Sequence, residues 1–389
     1  MTDIFFTDKQ YVANTYARFP VCIKEGHGSL LYDEAGKEHI DLGTGIAVNT
    51  FGASDPEWVA AITEQAGKLA HISNLYYTEP CAKLAEALCE RTGMSRVFFA
   101  NSGAEANECA IKAARKYSQD KKGKEYYNII TLKNSFHGRT VTTLAATGQD
   151  VFHADFTPLT EGFLYGEANN IDSIKALVAD NKCAAVMLEC VQGEGGVLPM
   201  TSEFMLELET LCHENDLLLV IDEVQTGNGR CGSLYAFQTY GITPDIVSTA
   251  KGLAGGLPIG ATMMFDRTEN VLTKSSHGST FGGNPVSCAA AVSIIERIDD
   301  CLLKEVREKS QYIINELSGA EGIKSVSGLG LMLGIETKKD AGEVIAYCMK
   351  NGVLPIKAKN KVRLLPALNI PMDALCKAVS VIKEAAKGE

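Results

Sequence analysis

The chain has 389 residues, 46% hydrophobic and 22% charged, a balance that suits a soluble globular protein with room for two domains. Its net charge of -11 argues against a nucleic-acid-binding face, and no run of eighteen apolar residues offers a membrane span. The acidic opening, MTDIFFTDKQYVANTYARFP, lacks the basic flank of a secretion signal, and twelve cysteines without a CxxC pair read as buried thiols in a reducing cytoplasm.

In chain order, GSLLYDEAGKEHIDL (28–42) reads as a short hairpin. VFFAN (97–101) is a strand that runs into a helix, AEANECAIKAARKY (104–117). NIITL (128–132) is a strand followed by the polar turn FHGRT (136–140). AAVMLE (184–189) and LLLVID (217–222) are strands flanking a helix, EFMLELETLCHEN, and DIVS (245–248) and GATMMF (260–265) follow as strands. Unbroken apolar strands alternating with helices predict a mostly parallel central sheet covered by helices, an α/β fold. A helical stretch over about 286–318, breaking near Asp300, leads to strands in GLMLGIET and VRLLPAL and a final helix, DALCKAVSVIKEAAK. That pattern predicts a smaller α+β domain over 288–389, joined by the segment 1–52, beside a larger domain over 53–287.

The glycine-rich stretches are poor candidates for nucleotide loops. GNGRCG (227–232) fits G-x-G-x-x-G, but Asp222 and Glu223 precede it and the helix after it is too short to meet a pyrophosphate. GLGLMLG (328–334) leads into a strand, and neither GxxxxGK[ST] nor GxSxG occurs.

Four features point to one chemistry. Asp222 closes an apolar strand at the end where open α/β sheets place ligands. Ser102, Gly103 and Ala104, in NSGAEANE, open a helix whose free N–H groups suit an anion, while Ser102 and Glu105 also have capping-box spacing. Phe136 or His137 can stack on a flat ring, and Arg139 offers a planar fork for a carboxylate. Lys251, in TAKGLAGGLPIG, lies 29 residues after Asp222 and just past the next strand, so both residues project from the same sheet edge. An amine and a carboxylate facing one cleft with an anion site and a ring describe a pyridoxal phosphate site. The amine forms a Schiff base, the carboxylate keeps the pyridine nitrogen protonated, and the glycines after Lys251 let backbone and side chain swing.

The chain resembles the class III, ω-amino-acid branch of the fold-type I pyridoxal phosphate aminotransferases nearly end to end. The resemblance rests on GSLLYDEAGKEHIDLGTGIAVN, FFANSGAEANECAIKAARKY, SFHGRT, QGEGGV, LLLVIDEVQTGNGR, STAKGLAGGLPIGA, HGSTFGGNP and RLLPALNI. It implies pyridoxal 5'-phosphate as cofactor, held by Lys251, with Asp222 on the pyridine nitrogen. Val224 and Phe136 would face the ring, Gln225 its phenolic oxygen, and His137 and Glu223 would lie beside it. It places the phosphate on Ser102, Gly103 and Ala104, with Thr280 reaching across a homodimer whose active sites are shared. Arg139 would receive a distal carboxylate, with Ser279 near the substrate. Arg363 would receive the near carboxylate of glutamate and pair with Glu194 when an ω-amine is bound. The implied reaction is ping-pong transamination of N2-acetyl-L-ornithine with 2-oxoglutarate, a step of arginine biosynthesis; ornithine, succinyldiaminopimelate and 4-aminobutyrate remain alternative donors, and a non-catalytic binding relative is the alternative of another class. No metal, nucleic acid or membrane partner is expected.

Overall fold

The computed structural model describes residues 4–387. Its central sheet has seven strands: β1 (Arg96–Ala100), β2 (Asn128–Leu132), β3 (Phe163–Gly166), β4 (Cys183–Glu189), β5 (Leu218–Asp222), β6 (Ile246–Thr249) and β7 (Gly260–Met264). Their order across the sheet is β1-β7-β6-β5-β4-β2-β3. The pairs β6–β5, β5–β4, β4–β2 and β2–β3 are parallel, whereas β7 runs antiparallel to both of its neighbours. The expected mostly parallel sheet is therefore present, with one reversed strand next to its edge.

Strands β4 and β5 are buried along their whole length, because helices cover both faces of the sheet. Gly103–Lys122 packs on β4, β6 and β7, and Ser202–Glu214 packs on β5. Removing each large aliphatic side chain of such a strand from water contributes ~1.5–3 kcal/mol, which offsets the ordering of its backbone. Side chains of β5 are locked by neighbours on both sides, so the residue at its end is held in a defined place.

The predicted break near Asp300 separates two helices, Pro285–Ile295 and Asp300–Leu317, the second capped by Asp299. Beyond them an antiparallel sheet pairs Ile323–Leu329, Met332–Thr337, Lys361–Leu364 and Ile356–Ala358. The opening hairpin, Leu30–Asp33 with Glu38–Asp41, pairs through its second strand with Val353–Leu354. Ile40 and Leu42 also share a hydrophobic cluster with residues from Val306 to Ala386. The chain thus brings its beginning to its end, and Leu365 N–H donates to the Leu42 carbonyl at 2.7 Å.

Candidate active site

The carboxyl ends of β4, β5 and β6 put Glu189, Asp222 and Ser248 in register. Lys251 follows β6 after one residue, and it lines the same cavity as Asp222, as the spacing of the two residues requires. The cavity has a volume of about 240 Å³, and Gly103, Phe136, Arg139, Val224 and Gln225 also line it.

Asp222 is buried and held by three donors. Asn107 Nδ2 and His137 Nδ1 reach its Oδ2 at 2.7 and 2.8 Å, and the Val224 N–H reaches Oδ1 at 3.0 Å. Ser248 Oγ donates to Asn107 Oδ1 at 2.5 Å, which fixes the amide so that its NH₂ faces the carboxylate. Three donated hydrogen bonds fix the orientation of the carboxylate at the cavity wall. Burial would lower the His137 pKa, but its hydrogen bond to Asp222 and the charges of Asp222 and Glu189 raise it overall.

The Lys251 amine has no hydrogen-bond or ion-pair partner among the described residues, although the residue is mostly buried. Burial lowers its pKa, and the positive charge of Arg363 adds to this against the opposing acids Glu194, Asp222 and Glu189. An amine so placed loses its proton more readily than a surface lysine.

The walls are built locally. Ser102 caps the helix Gly103–Lys122 by accepting from Glu105 N–H at 3.2 Å, which leaves the N–H groups of Gly103 and Ala104 without acceptors among the described residues. Val224 lies against Gly103, where an added Cβ would stand 2.6 Å from Cγ1 of the valine. Phe136 meets Phe152 edge-on at 5.9 Å between centroids. Arg363 is buried and paired with Glu194 at 2.6 Å; its Nη1 also donates to Gln225 Oε1 at 3.2 Å. Arg139 is exposed at the mouth, with its guanidinium 4.2 Å from the Phe152 ring and no carboxylate partner among the described residues. It lines a second cavity of about 530 Å³ together with Thr15, Tyr16, Val141, Leu144 and Phe156.

Several expected residues lie elsewhere. Glu223 is buried on the far side, where its carboxylate accepts from Thr226 Oγ1 and from Phe237 N–H at 2.7 Å. Consecutive residues at a strand end point to opposite faces, so Asp222 and Glu223 cannot both face the cavity. The Ser102 hydroxyl is committed to the cap, donating to Glu105 Oε2 at 3.0 Å. Ser279 accepts from Asn101 Nδ2 at 3.1 Å on a loop outside the cavity, and Thr280 beside it is exposed. Around Lys251 the carbonyls of Ala250, Gly252 and Ala254 all accept side-chain hydrogen bonds.

Sequence reasoning missed Glu189, Asn107, Ser248, Thr15 and Tyr16. Glu189 carried the same signal as Asp222, an acid ending a buried strand. Its carboxylate accepts from Phe136 N–H at 3.0 Å, and burial raises its pKa to about 7.

The family described as aminotransferase class-III matches residues 11–386. The acetylornithine aminotransferase of Haemophilus ducreyi is 48% identical over 379 residues, covering 97% of this chain and 96% of its own. That of Aquifex aeolicus is 44% identical over 376 residues, covering 96% and 99%. Among solved structures, the ornithine aminotransferase of Toxoplasma gondii ME49 superposes with a TM-score of 0.94 at 30% identity, covering 98% of this chain and 94% of its own. The N-acetylornithine aminotransferase of Stenotrophomonas maltophilia K279a gives 0.85 at 34% identity and 98% of both chains. With its amine, its carboxylate and this match over nearly all of its length, the chain belongs to the class III aminotransferases, enzymes that depend on pyridoxal 5'-phosphate.

Proposed function

We propose that the cavity between Lys251 and Asp222 holds pyridoxal 5'-phosphate and that the enzyme transaminates N2-acetyl-L-ornithine with 2-oxoglutarate. The observation that carries this reading is an unpartnered amine and a triply held carboxylate lining one cavity, beside an Arg363 already neutralised by Glu194. The residues fit the cofactor. Asp222 offers negative charge to a protonated ring nitrogen, Val224 and Phe136 supply apolar walls, and the N–H groups of Gly103 and Ala104 await a phosphate. Gln225 spends its Oε1 on Arg363, which leaves its NH₂ to donate to the phenolic oxygen. Bound there, the cofactor supplies an aldehyde that takes up amines and a ring that draws electrons from the neighbouring carbon.

Lys251 then holds and moves a proton at Nζ, a task that needs the depressed pKa its burial provides. Asn107 and His137 keep Asp222 oriented, and Ser248 fixes Asn107. Arg139 receives the far carboxylate of either substrate: the α-carboxylate of acetylornithine or the γ-carboxylate of 2-oxoglutarate. The distances from the reacting centre to these two groups differ by one bond, so one fork serves both. Arg363 receives the near carboxylate of the oxo acid, and Glu194 covers it when the bound ω-amine carries no carboxylate on its reacting carbon.

A homodimer completes the site. Leu75, Tyr76, Tyr77 and Phe281 are exposed, and Asn74 Nδ2 ties their two segments together through the carbonyls of Ser279 and Gly282. These exposed apolar side chains beside Thr280 suit a second copy, with the partner subunit's Thr280 brought to the phosphate. The units 1–52 with 288–389 and 53–287 are the domains we assign, and a cytoplasmic setting suits the free cysteines.

The test follows the visible absorption of cofactor-loaded enzyme mixed separately with acetylornithine, ornithine, succinyldiaminopimelate and 4-aminobutyrate. Acetylornithine is expected to discharge it fastest; a faster reaction with any of the others overturns the assigned donor. A second expectation concerns Glu194→Ala. Exposing Arg363 should raise the use of α-amino donors relative to ω-amines on the order of tenfold, equivalent to ~1.4 kcal/mol. An unchanged ratio of the two kcat/KM values removes Glu194 from this role.

A further inference from the structure

Lys251 adopts a left-handed backbone conformation, φ 44°, at the start of a 3-10 turn over Lys251–Ala254. A lysine has no intrinsic preference for that region, so surrounding contacts have to hold it there. Three side chains from separate parts of the chain supply them. Asn228 Nδ2 donates to the Ala250 carbonyl and to Thr249 Oγ1, both at 3.1 Å. Thr50 Oγ1 donates to the Gly252 carbonyl at 2.7 Å, and Trp58 Nε1 donates to the Ala254 carbonyl at 2.7 Å. Asn228 and Thr50 are themselves buried, and Asn228 Oδ1 accepts from the fully buried Tyr235 hydroxyl at 3.4 Å.

The glycines of this stretch permit that grip. A Cβ at residue 252 would stand 2.8 Å from Thr50 Oγ1, and one at residue 255 would stand 3.2 Å from Trp58 Nε1 and 2.8 Å from Ile294 Cδ1. Side chains at either position would push the donors away. Their value here is close approach.

We propose that Asn228, Thr50 and Trp58 are positioning residues that clamp the peptides around Lys251, so that only the lysine side chain moves during turnover. The clamp rests on the assignment of Lys251 as the cofactor-bearing residue. None of the three residues lines the cavity, and each acts through the carbonyl it holds.

The test uses enzyme loaded with pyridoxal phosphate and the variants Thr50→Val, Thr50→Ser, Trp58→Phe and Asn228→Ala. Borohydride fixation followed by peptide mass spectrometry first establishes which lysine carries the cofactor; failure at that stage rejects the assignment of Lys251 and the clamp with it. With Lys251 labelled, Thr50→Val and Trp58→Phe should each lower the single-turnover rate with acetylornithine about tenfold or more, while the donor concentration giving half-maximal rate stays within about twofold. Asn228→Ala should lower the same rate, because it frees the Ala250 carbonyl. The pH midpoint of the visible band should move in these variants, since it reports the geometry at the lysine nitrogen. Thr50→Ser, which keeps the hydroxyl, should restore both readouts. Unchanged rate and midpoint in Thr50→Val and Trp58→Phe, even with a lowered melting temperature, overturn the clamp and leave these contacts as packing alone. Trp58 is only partly buried, so its variant decides the question if Thr50→Val fails to fold.

Discussion

Replacing Lys251 with alanine should lower turnover by about 10⁴-fold or more, since it removes both the anchoring amine and the group that moves the proton. Pyridoxal phosphate should still enter the cavity, because Asp222, Val224 and the N–H groups of Gly103 and Ala104 are untouched. Borohydride treatment should then leave no cofactor attached to the chain, where the wild-type protein keeps it at residue 251. Peptide mass spectrometry reads the difference, and a wild-type protein without the adduct sinks the assignment. The same residue gives an expectation for stability in the cofactor-free protein. Its folded pKa is lowered, so the unfolded chain binds more protons and stability rises with pH until the unfolded lysine also deprotonates. At neutral pH the buried amine is therefore destabilising, and Lys251→Met in the cofactor-free protein should melt no lower than wild type.

The second large effect belongs to Arg139. Its guanidinium lies between two cavities, stacked near Phe152 and free of any carboxylate among the described residues. Arg139→Ala should reduce kcat/KM for acetylornithine and 2-oxoglutarate alike, each by ~1.5–3 kcal/mol, the usual contribution of a charged hydrogen bond. Arg139→Lys keeps the charge but loses the planar fork and should fall between the two. Equal losses for both substrates distinguish a shared carboxylate site from a site for one of them. If neither kinetic constant changes, the carboxylates bind elsewhere.

Much of this site is legible because strand ends are legible. LLLVID announces a buried strand and places Asp222 at its end, and DIVS followed by Lys251 repeats the pattern one strand further along. Glu189 ends AAVMLE in the same way, yet nothing nearby in the chain marks it as more than the last residue of its strand. Asn107 lies inside a helix, where only the packing of that helix against the sheet reveals a buried amide. Glu223 neighbours Asp222 in sequence and so reads as a cofactor residue, but strand alternation sends it the other way. The direction of β7 is not legible, because a strand buried on both faces carries the same apolar run whichever way it points. Tyr16 lines a cavity with Arg139 across a sequence separation that periodicity does not encode.

The clamp around Lys251 also has a consequence for how the protein is made. Thr50 to Gly252 and Trp58 to Ala254 close long loops, their partners separated by 202 and 196 positions. Contacts of such range form late, after the entropy of closing those loops has been overcome. A chain emerging from the ribosome therefore carries the reactive lysine well after residues 50 and 58 have been synthesised, but cannot set its geometry until the two ends of that loop meet. During refolding, the visible signal of the captured cofactor should lag behind the far-ultraviolet signal of the helices. The visible signal then reports that the segment around Lys251 has met residues 50 and 58.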